Sequence, residues 1–252
     1  MRGEMMKDVN YLISKLVTDK ELFTRFKKEP MEVMQVLKID ESKRKMLLNL
    51  DMDNVGVFAY GAFVKRFSKL RSYIPITLRA LRILDIENAV FFEEVHKLRA
   101  KKAYQFPPLP GDLEACIEVM EENNYPPFAI DILQFESAIV LASVRKNITP
   151  CRKPEYKFDN SSLNKISISK NVSLINVRYD VYQLRNSILS NQVSSLEQSE
   201  SYYLVYKQNH RIKVKRIKLE LANFILKKDK FDFTNVVEDL KELYSKGILS
   251  VN

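Results

Sequence analysis

The spacing Glu93-x-x-His96 is the pattern in this sequence that most resembles a metal-binding motif. On a helix it places a carboxylate and an imidazole on the same face, as in di-iron carboxylate proteins. Such a site needs a second motif of this kind and further carboxylates facing it. The chain has only two histidines, His96 and His210, and they fall in different predicted elements. We therefore expect Glu93 and His96 to lie on an exposed acidic helix face and to bind no metal.

Patterns of other catalytic sites are absent from the sequence. The five glycines form neither a phosphate-binding loop nor a dinucleotide-binding pattern, and no Gly-x-Ser-x-Gly elbow occurs. Cys116 falls on the apolar face of a predicted helix and is expected to be a core residue. Cys151 follows Pro150 in a loop and has no nearby histidine that could act as a base. We predict that this chain is not an enzyme.

A basic segment in the C-terminal third is the most unusual group of side chains. No acidic residue interrupts its six cations, which are Lys207, Arg211, Lys213, Lys215, Arg216 and Lys218. Alternate residues of a strand share a face, so Arg211, Lys213 and Lys215 should point to one side and Ile212 and Val214 to the other. One interpretation is a solvated edge whose lysines prevent aggregation. The other is a docking strand for an acidic peptide or a nucleic-acid backbone.

The helix predicted near the C-terminus favours a peptide over DNA. Winged helices that read DNA bring arginine, asparagine or glutamine side chains to the base edges. This helix instead carries Glu238, Asp239 and Glu242, which would repel phosphates. A peptide added to a sheet edge meets no such repulsion, because backbone hydrogen bonds supply its affinity and pockets between strand and helix supply its selectivity.

Apolar periodicity predicts an α+β protein that is mostly α. Short helices should fill residues 8–72, with a longer one over about 53–70. Three more should follow between 75 and 143, of which 127–143 is the most apolar and should be the central buried helix of its region. The residues expected to cap or begin these helices are Asp8, Asp19, Pro30, Asp40, Pro75, Asp85, Asp112 and Asp180.

Beyond an irregular stretch at 145–165 the pattern alternates as strands do. Strands are predicted at 165–169, 172–179, 202–206 and 211–217, helices at 181–188, 218–228 and 234–246, and a last short strand at 248–251 after the helix stop at Gly247. This is the content of a winged helix in a permuted order, with a three-stranded antiparallel sheet. We divide the chain into an N-terminal helical docking domain (1–72), a helical domain (73–147) and a winged-helix-like peptide-recognition domain (165–252).

Composition favours a cytoplasmic protein. Charged residues make up 29% of the chain, and apolar runs such as residues 138–142 are far shorter than the roughly 18 residues of a membrane span. The first residues show no secretion signal, and two cysteines are too few for a disulfide framework. The net charge of +9 is compatible with an acidic partner. We expect no membrane contact.

Several segments carry a resemblance to a known family. They are Val172–Leu184, Ser201–Lys207, Arg211–Ile217 and Val237–Leu249, with Phe106–Asp112, Tyr125–Phe128 and Ile132–Leu141 upstream. Together they resemble the HvfC/BufC/MbnC-like proteins, the partner subunits of multinuclear non-haem iron oxidative enzymes in ribosomal peptide natural-product pathways. The resemblance covers about residues 75–250. The arginine common in that family at the end of the strand over 202–206 falls at Lys207, so this chain departs from the family pattern at that contact.

The first seventy residues are similar to something else. Phe23–Phe26, Glu29-Pro30, Val36–Glu41, Leu47-Leu48, Asp51 and Gly56 are similar to the small helical subunit of protocatechuate-type ring-opening dioxygenases. They are also similar to the helical leader domains of some modified peptides. We interpret this part of the chain as an added docking domain.

The family resemblance implies a heterodimer with an iron oxygenase and recognition of the leader of a precursor peptide. The iron would belong to the partner enzyme, and this chain would hold no cofactor. We expect the leader to occupy an apolar groove and to pair its acidic residues with cations. The groove residues would be Tyr202, Leu204, Tyr206, Val237 and Leu240, and the cations Arg211, Lys213 and Lys215. Alternatives are a winged-helix DNA-binding regulator and an accessory subunit of a ring-cleaving dioxygenase.

Overall fold

The computed structural model describes residues 11–17, 19–101, 108–150, 166–226 and 236–251. Asp8 and Cys151 lie outside the described residues, as do the predicted ends of the helices over 218–228 and 234–246. The internal contacts divide the chain into two units, residues 1–123 and 124–252. Each unit is described by itself below, and the three-domain division stays a prediction.

The described part of the first unit is helical. Its helices are α1 (residues 11–17), α2 (Lys20–Lys28), α3 (Pro30–Val36), α4 (Glu41–Leu48), α5 (Met52–Tyr73), α6 (Pro75–Ile83), α7 (Asn88–Lys101) and α8 (Pro108–Glu122). Asp19 and Asp40 accept hydrogen bonds from the N–H groups of Leu22 and Ser42, so both are helix caps as predicted. Pro30 and Pro75 occupy the first turns of α3 and α6, where a missing N–H costs nothing.

Two carboxylates predicted to cap helices have other roles. Asp85 has a φ of 56° and ends α6, because the following Ile86 N–H returns to the carbonyl of Leu81, as in a left-handed C-cap. Asp112 lies inside α8, which begins four residues earlier than predicted. Its buried carboxylate binds the guanidinium groups of Arg66 and Arg99.

Apolar side chains from α1 to α4 form one core of the first unit. The buried members of this cluster are Leu12, Leu16, Phe26, Val33, Met34, Ile39 and Leu47. Further along the chain, Phe67 of α5 packs on Phe92 of α7, with ring centroids 4.9 Å apart. Cys116 of α8 is also buried, and burial raises the pKa of its thiol above the ordinary value. A buried neutral thiol of this kind is a core residue, as the sequence predicts.

The second unit holds all the strands that the structure describes. They are β1 (Ile166–Ile168), β2 (Val172–Val177), β3 (Ser201–Gln208), β4 (Arg211–Ile217) and β5 (Leu249–Val251), with helices α9 (Pro127–Val144), α10 (Val181–Ser190), α11 (Leu219–Leu226) and α12 (Val237–Ser245). Strands β2, β3 and β4 form an antiparallel sheet in that order, and β1 pairs antiparallel with β5. The prediction of an α+β protein, mostly α, with a three-stranded antiparallel sheet is confirmed.

Helices cover both faces of the β2-β3-β4 sheet. On one face Val205 of β3 packs against Ala138 and Ala142 of α9. On the other face Leu204 belongs to a cluster with Leu240 of α12 and Leu221 of α11. The buried helix α9 therefore forms a layer on the sheet.

Helix α9 is also the one described helix that is long and apolar enough to cross a membrane by length and composition. Most of its length is buried within the fold, and it carries the buried carboxylates Asp131 and Glu136. Such packing is typical of the core helix of a soluble protein. Location in the cytoplasm stays a prediction.

Candidate functional site

A two-residue turn joins the strands of the basic hairpin. Asn209 and His210 have φ values of 50° and 61°, the left-handed pair that defines a type I′ turn. Gln208 and Arg211 are opposed across it, and the N–H of His210 donates to the side chain of Asn147. The loop is shorter than the four residues predicted, because Lys207 and Gln208 continue β3.

The register of the hairpin determines which backbone groups of β4 remain available. Pairs in an antiparallel ladder alternate between hydrogen-bonded and non-hydrogen-bonded, and the pair that closes a two-residue turn is hydrogen-bonded. Counting from Gln208 and Arg211, the non-hydrogen-bonded residues of β4 are Ile212, Val214 and Arg216. Their N–H and C=O groups point away from β3. No described strand pairs with β4 on that side, and we call this row of groups the outer edge of β4.

The apolar groove predicted beside the hairpin is not open. Tyr202, Leu204 and Tyr206 are buried, and they belong to the same core cluster as Leu240 of α12. Strand β3 lies between β2 and β4, and beyond the start of β2 the N–H of Ile148 donates to the carbonyl of Lys207. The prediction of a groove at these residues is corrected accordingly.

The remaining predicted groove residue, Val237, is half-buried at the start of α12. It does not join an open surface with the three residues of β3. The hydroxyl of Tyr202 donates to Glu200 at 2.6 Å, and this hydrogen bond raises the pKa of Tyr202 to about 12. Tyr202 is therefore tied into the fold at its polar end as well as its ring.

The three predicted cations of β4 divide into two kinds. Arg211 and Lys213 are exposed, and neither has an ion pair among the contacts of the described residues. Lys213 and Lys215 are opposite Tyr206 and Leu204 in the register, so they share the face covered by α12. There Lys215 binds the carboxylate of Glu242 at 2.7 Å. Two of the three predicted side chains are thus free to meet a partner.

Glu242 is the acidic centre of this face of α12. Its carboxylate accepts from Lys215 and, at 2.5 Å, from Lys246. These hydrogen bonds lower the pKa of Glu242 to about 2, and the bond from Lys215 has the larger effect. The carboxylate is thereby kept ionised in the folded protein at pH values where it would be protonated in the unfolded chain.

We expect the Glu242→Gln variant to be less stable than the wild type at pH 6 and to approach it as the pH falls. A carboxyl whose pKa is lowered in the folded state stabilises the fold at pH values above its unfolded-state pKa. This contribution is lost as the pH falls towards the folded-state pKa. The window lies between the ordinary value of 4.5 and about 2. The group is partly exposed, so the difference at pH 6 should be below about 1 kcal/mol. Urea unfolding of the wild type and the variant at pH 6 and pH 3 measures the difference in their free energies of unfolding. If this difference is the same at both pH values, the lowered pKa of Glu242 does not contribute to stability.

A second polar site, which the sequence did not indicate, lies where β2 ends and β3 begins. It is a cavity of about 310 Å³ lined by Asp131, Gln134, Asn176, Arg178, Gln198 and Glu200. Asp131 is buried in α9, where burial raises the pKa of its carboxyl and the N–H of Arg178 donates to it at 2.5 Å. Glu200 accepts from Asn176 and Tyr202. The hydrogen bonds within this lining hold the end of the sheet on α9. The signal in the sequence was an acidic residue, Asp131, among the apolar positions of the most apolar helix.

The Glu93-x-x-His96 motif differs from its predicted setting. The His96 ring is half-buried and meets the Phe63 ring edge-on, with centroids 5.2 Å apart, and burial lowers the pKa of the imidazole. Glu93 is paired with Lys20 at 3.1 Å. The expectation of an exposed acidic face is therefore wrong for His96. Within the described residues no cluster of three or more histidine, cysteine or acidic side chains could hold a metal ion.

Comparison with known proteins assigns no family to this chain. No protein-family model matches the sequence, and no curated protein matches it. The likeness to the HvfC/BufC/MbnC-like proteins therefore stays a prediction.

Proposed function

We propose that this protein is a non-catalytic partner that binds an extended peptide along the outer edge of β4 and presents it to a separate enzyme. The observation that carries the proposal is the row of outward backbone groups at Ile212, Val214 and Arg216, next to the exposed cations Arg211 and Lys213. The resemblance suggests the leader of a precursor peptide as the ligand and a multinuclear non-haem iron oxygenase as the enzyme. The iron would be bound by that enzyme, with no cofactor in this chain.

Strand addition explains how such an edge binds a peptide. Each backbone hydrogen bond between edge and peptide contributes about 0.5–1.5 kcal/mol net. Each exposed ion pair with Arg211 or Lys213 adds only about 0.2–1 kcal/mol. Affinity would therefore come mainly from the backbone of β4, whereas the two cations would select acidic peptides.

The Ile212→Pro variant tests this edge. Ile212 directs its N–H outward, so proline there removes a donor for the peptide and leaves the ladder to β3 intact, as edge strands tolerate. The probes are fluorescent twelve-residue peptides in which glutamate alternates with leucine, and a matched series with lysine in place of glutamate. We expect the acidic series to bind and the Kd to rise about twofold to tenfold in the variant, the equivalent of one hydrogen bond.

The control for this test is Ile212→Ala, which shortens the side chain and keeps the N–H. It should bind more tightly than Ile212→Pro, and circular dichroism should show both variants folded. Equal affinity of the two variants, or no binding of any acidic peptide, would remove the outer edge of β4 as the peptide site.

Partnership with an enzyme needs its own experiment. Reading frames beside this one that encode an iron oxygenase and a short cysteine-bearing peptide would support the assignment, and the two proteins should co-purify. The alternative, a DNA-binding regulator, predicts that random duplex DNA binds at low salt and is released steeply as salt rises. Glu238, Asp239 and Glu242 on α12 oppose that outcome. Gel shift at two salt concentrations separates the two functions.

A further inference from the structure

The outer edge of β4 is not uniform in charge, because the fold neutralises the cations towards its end. Three ion pairs with carboxylates of this chain lie there, with N–O distances of 2.7, 2.8 and 3.3 Å. In that order they are Lys215–Glu242, Arg216–Asp180 and Lys218–Asp239. An acidic residue of a bound peptide would meet cations that already have an anion, and it would be repelled by those carboxylates. This half of the edge therefore favours neutral peptide residues.

The cations of β4 nearest the turn have no such partners. Arg211 and Lys213 are exposed, and neither forms an ion pair with any residue that the structure describes. Residues directly opposite each other in an antiparallel pair have their side chains on the same face, with Cβ atoms about 4.5–5.5 Å apart. The two peptide residues opposite Arg211 and Lys213 would therefore meet positive charge that this chain does not compensate.

Positive charge continues from the turn onto the neighbouring loops. The N–H of His210 donates to Asn147 at 3.1 Å, so the exposed Lys146, its neighbour in the chain, lies near the turn. Strand β2 begins at the same end of the sheet. The segments that meet here are residues 143–149, 169–173 and 206–213. They contain no acidic residue, and we call this region the basic end of the sheet, with the cations Arg145, Lys146, Lys170, Lys207, Arg211 and Lys213.

Backbone geometry favours one direction for an added strand. Antiparallel pairs are slightly more stable per residue than parallel ones and are more frequent. Strand β4 runs away from the turn, from Arg211 to Ile217. An antiparallel peptide therefore runs towards the turn, and its C-terminal half lies beside Arg211 and Lys213. Residues beyond its last paired position would reach the basic end of the sheet.

The opposite face of the same edge adds a requirement for apolar residues. Ile212 is 38% exposed, and Val214 packs against the cluster that holds Ala138 and Ala142 of α9. Peptide residues opposite Ile212 and Val214 would face α9, where apolar side chains would be removed from water together with these two. Acidic and apolar residues should therefore alternate in the part of the peptide nearest the turn.

We infer that the ligand is a peptide whose acidic residues are concentrated in its C-terminal half, with neutral residues in its N-terminal half. The inference rests on the proposed function, because it takes the outer edge of β4 as the peptide site. It adds the polarity of the ligand, whose acidic half lies at the turn and continues onto the basic end of the sheet. A single-stranded nucleic acid has no such polarity, because its charge is uniform along its length.

Two fluorescent twelve-residue peptides of identical composition test this polarity on the full chain. In both, leucine alternates with glutamine in one half and with glutamate in the other, and both ends are blocked to remove terminal charges. The acidic half is C-terminal in the first peptide and N-terminal in the second. The second peptide must either place its glutamates beside neutralised cations or pair parallel to β4. We therefore expect fluorescence anisotropy to give the first peptide a Kd at least about threefold lower.

The double variant Arg211→Gln/Lys213→Gln should remove this preference. Loss of two exposed ion pairs should raise the Kd of the first peptide about twofold to thirtyfold and bring the two peptides within about twofold of each other. The matched control is Lys218→Gln/Lys241→Gln, which removes the same charge from two lysines that are already paired with Asp239 and Glu238. It should keep the preference for the first peptide, and circular dichroism should show both double variants folded.

The outcomes separate this inference from the proposed function. If both peptides bind equally, or the second binds more tightly, the polarity is wrong and the peptide site remains. If neither peptide binds, both proposals fail. Equal weakening by the two double variants would show an effect of net charge alone and would overturn the inference. Displacement of the first peptide by an equal concentration of a twelve-nucleotide single strand would assign the basic end of the sheet to nucleic acid instead.

Discussion

Replacing Leu204 with alanine is expected to lower the free energy of unfolding of the second unit by about 2–5 kcal/mol. Leu204 is fully buried in the central strand β3 and shares a core cluster with Leu240 and Leu243 of α12. Truncation removes apolar contacts and leaves a cavity between sheet and helix, and both effects destabilise. Urea unfolding followed by circular dichroism measures the change.

The matched control for Leu204 is Leu219 of α11, which is 48% exposed. Leu219→Ala should change the free energy of unfolding by no more than about 0.5 kcal/mol. The comparison also decides between a core residue and a binding residue. If the Leu204→Ala variant keeps its stability and binds peptide more weakly, Leu204 is a binding residue, which contradicts its assignment to the core.

Replacing Asp112 with alanine should be about as destabilising for the first unit, by about 3–5 kcal/mol. The buried carboxylate accepts from Nε of Arg66 at 2.9 Å and lies 3.2 Å from Nε of Arg99. Removing it leaves the two guanidinium groups, the second of them largely buried, without their shared anion. Uncompensated buried charge is far more costly than the loss of an exposed ion pair. Chemical unfolding of the full chain should show that the first unit unfolds at a lower denaturant concentration than in the wild type.

Asp53 provides the comparison for Asp112. Its Oδ1 forms an ion pair with Nζ of Lys27 at 2.7 Å, but the Asp53 side chain is almost fully exposed. Asp53→Ala should leave the unfolding transition where it is in the wild type, because solvent screens exposed pairs. If both aspartate variants behave alike, the Arg66–Asp112–Arg99 group does not hold α5, α7 and α8 together.

Local signals in the sequence predicted the parts of the fold that depend on local interactions. Asp19 and Asp40 begin helices because a short acidic side chain accepts from N–H groups two or three residues later. Asp180 does the same for α10. Gly247, with a φ of 73°, follows α12 as predicted, since glycine adopts this conformation without strain.

The same signals failed at two carboxylates that fit the pattern of a helix start, and for different reasons. Asp85 ends a helix in a local turn, in which the N–H of Ile86 donates to the carbonyl of Leu81. Asp112 lies inside a helix and binds two arginines that belong to other helices. Nothing near either residue distinguishes these roles. The sequence places a helix over 127–143 correctly, but only the structure shows that α9 lies on the sheet.

The candidate site was predicted in part. Alternation correctly separated Lys213 and Lys215 from Val214, as the register confirms. The prediction of an open groove at Tyr202, Leu204 and Tyr206 was wrong, although the sequence contains a sign against it. Residues 202–206 form an unbroken apolar run. Such a run is typical of a strand buried on both faces, whereas a strand beside an open groove alternates. The run therefore predicts that these three side chains belong to the core and line no open groove.

The position of α9 in the chain has a consequence for biosynthesis. This apolar helix ends at Val144, whereas the hairpin strand β4 that completes the sheet over it ends at Ile217. At about 5–20 residues per second, the ribosome therefore needs roughly 4–15 seconds to synthesise the segment from the end of α9 to the end of β4. During that interval the sheet-facing side of α9 is only partly covered, because β2 and β3 are synthesised one after the other before β4. Nascent chains that stop before β3 should be bound by chaperones or aggregate.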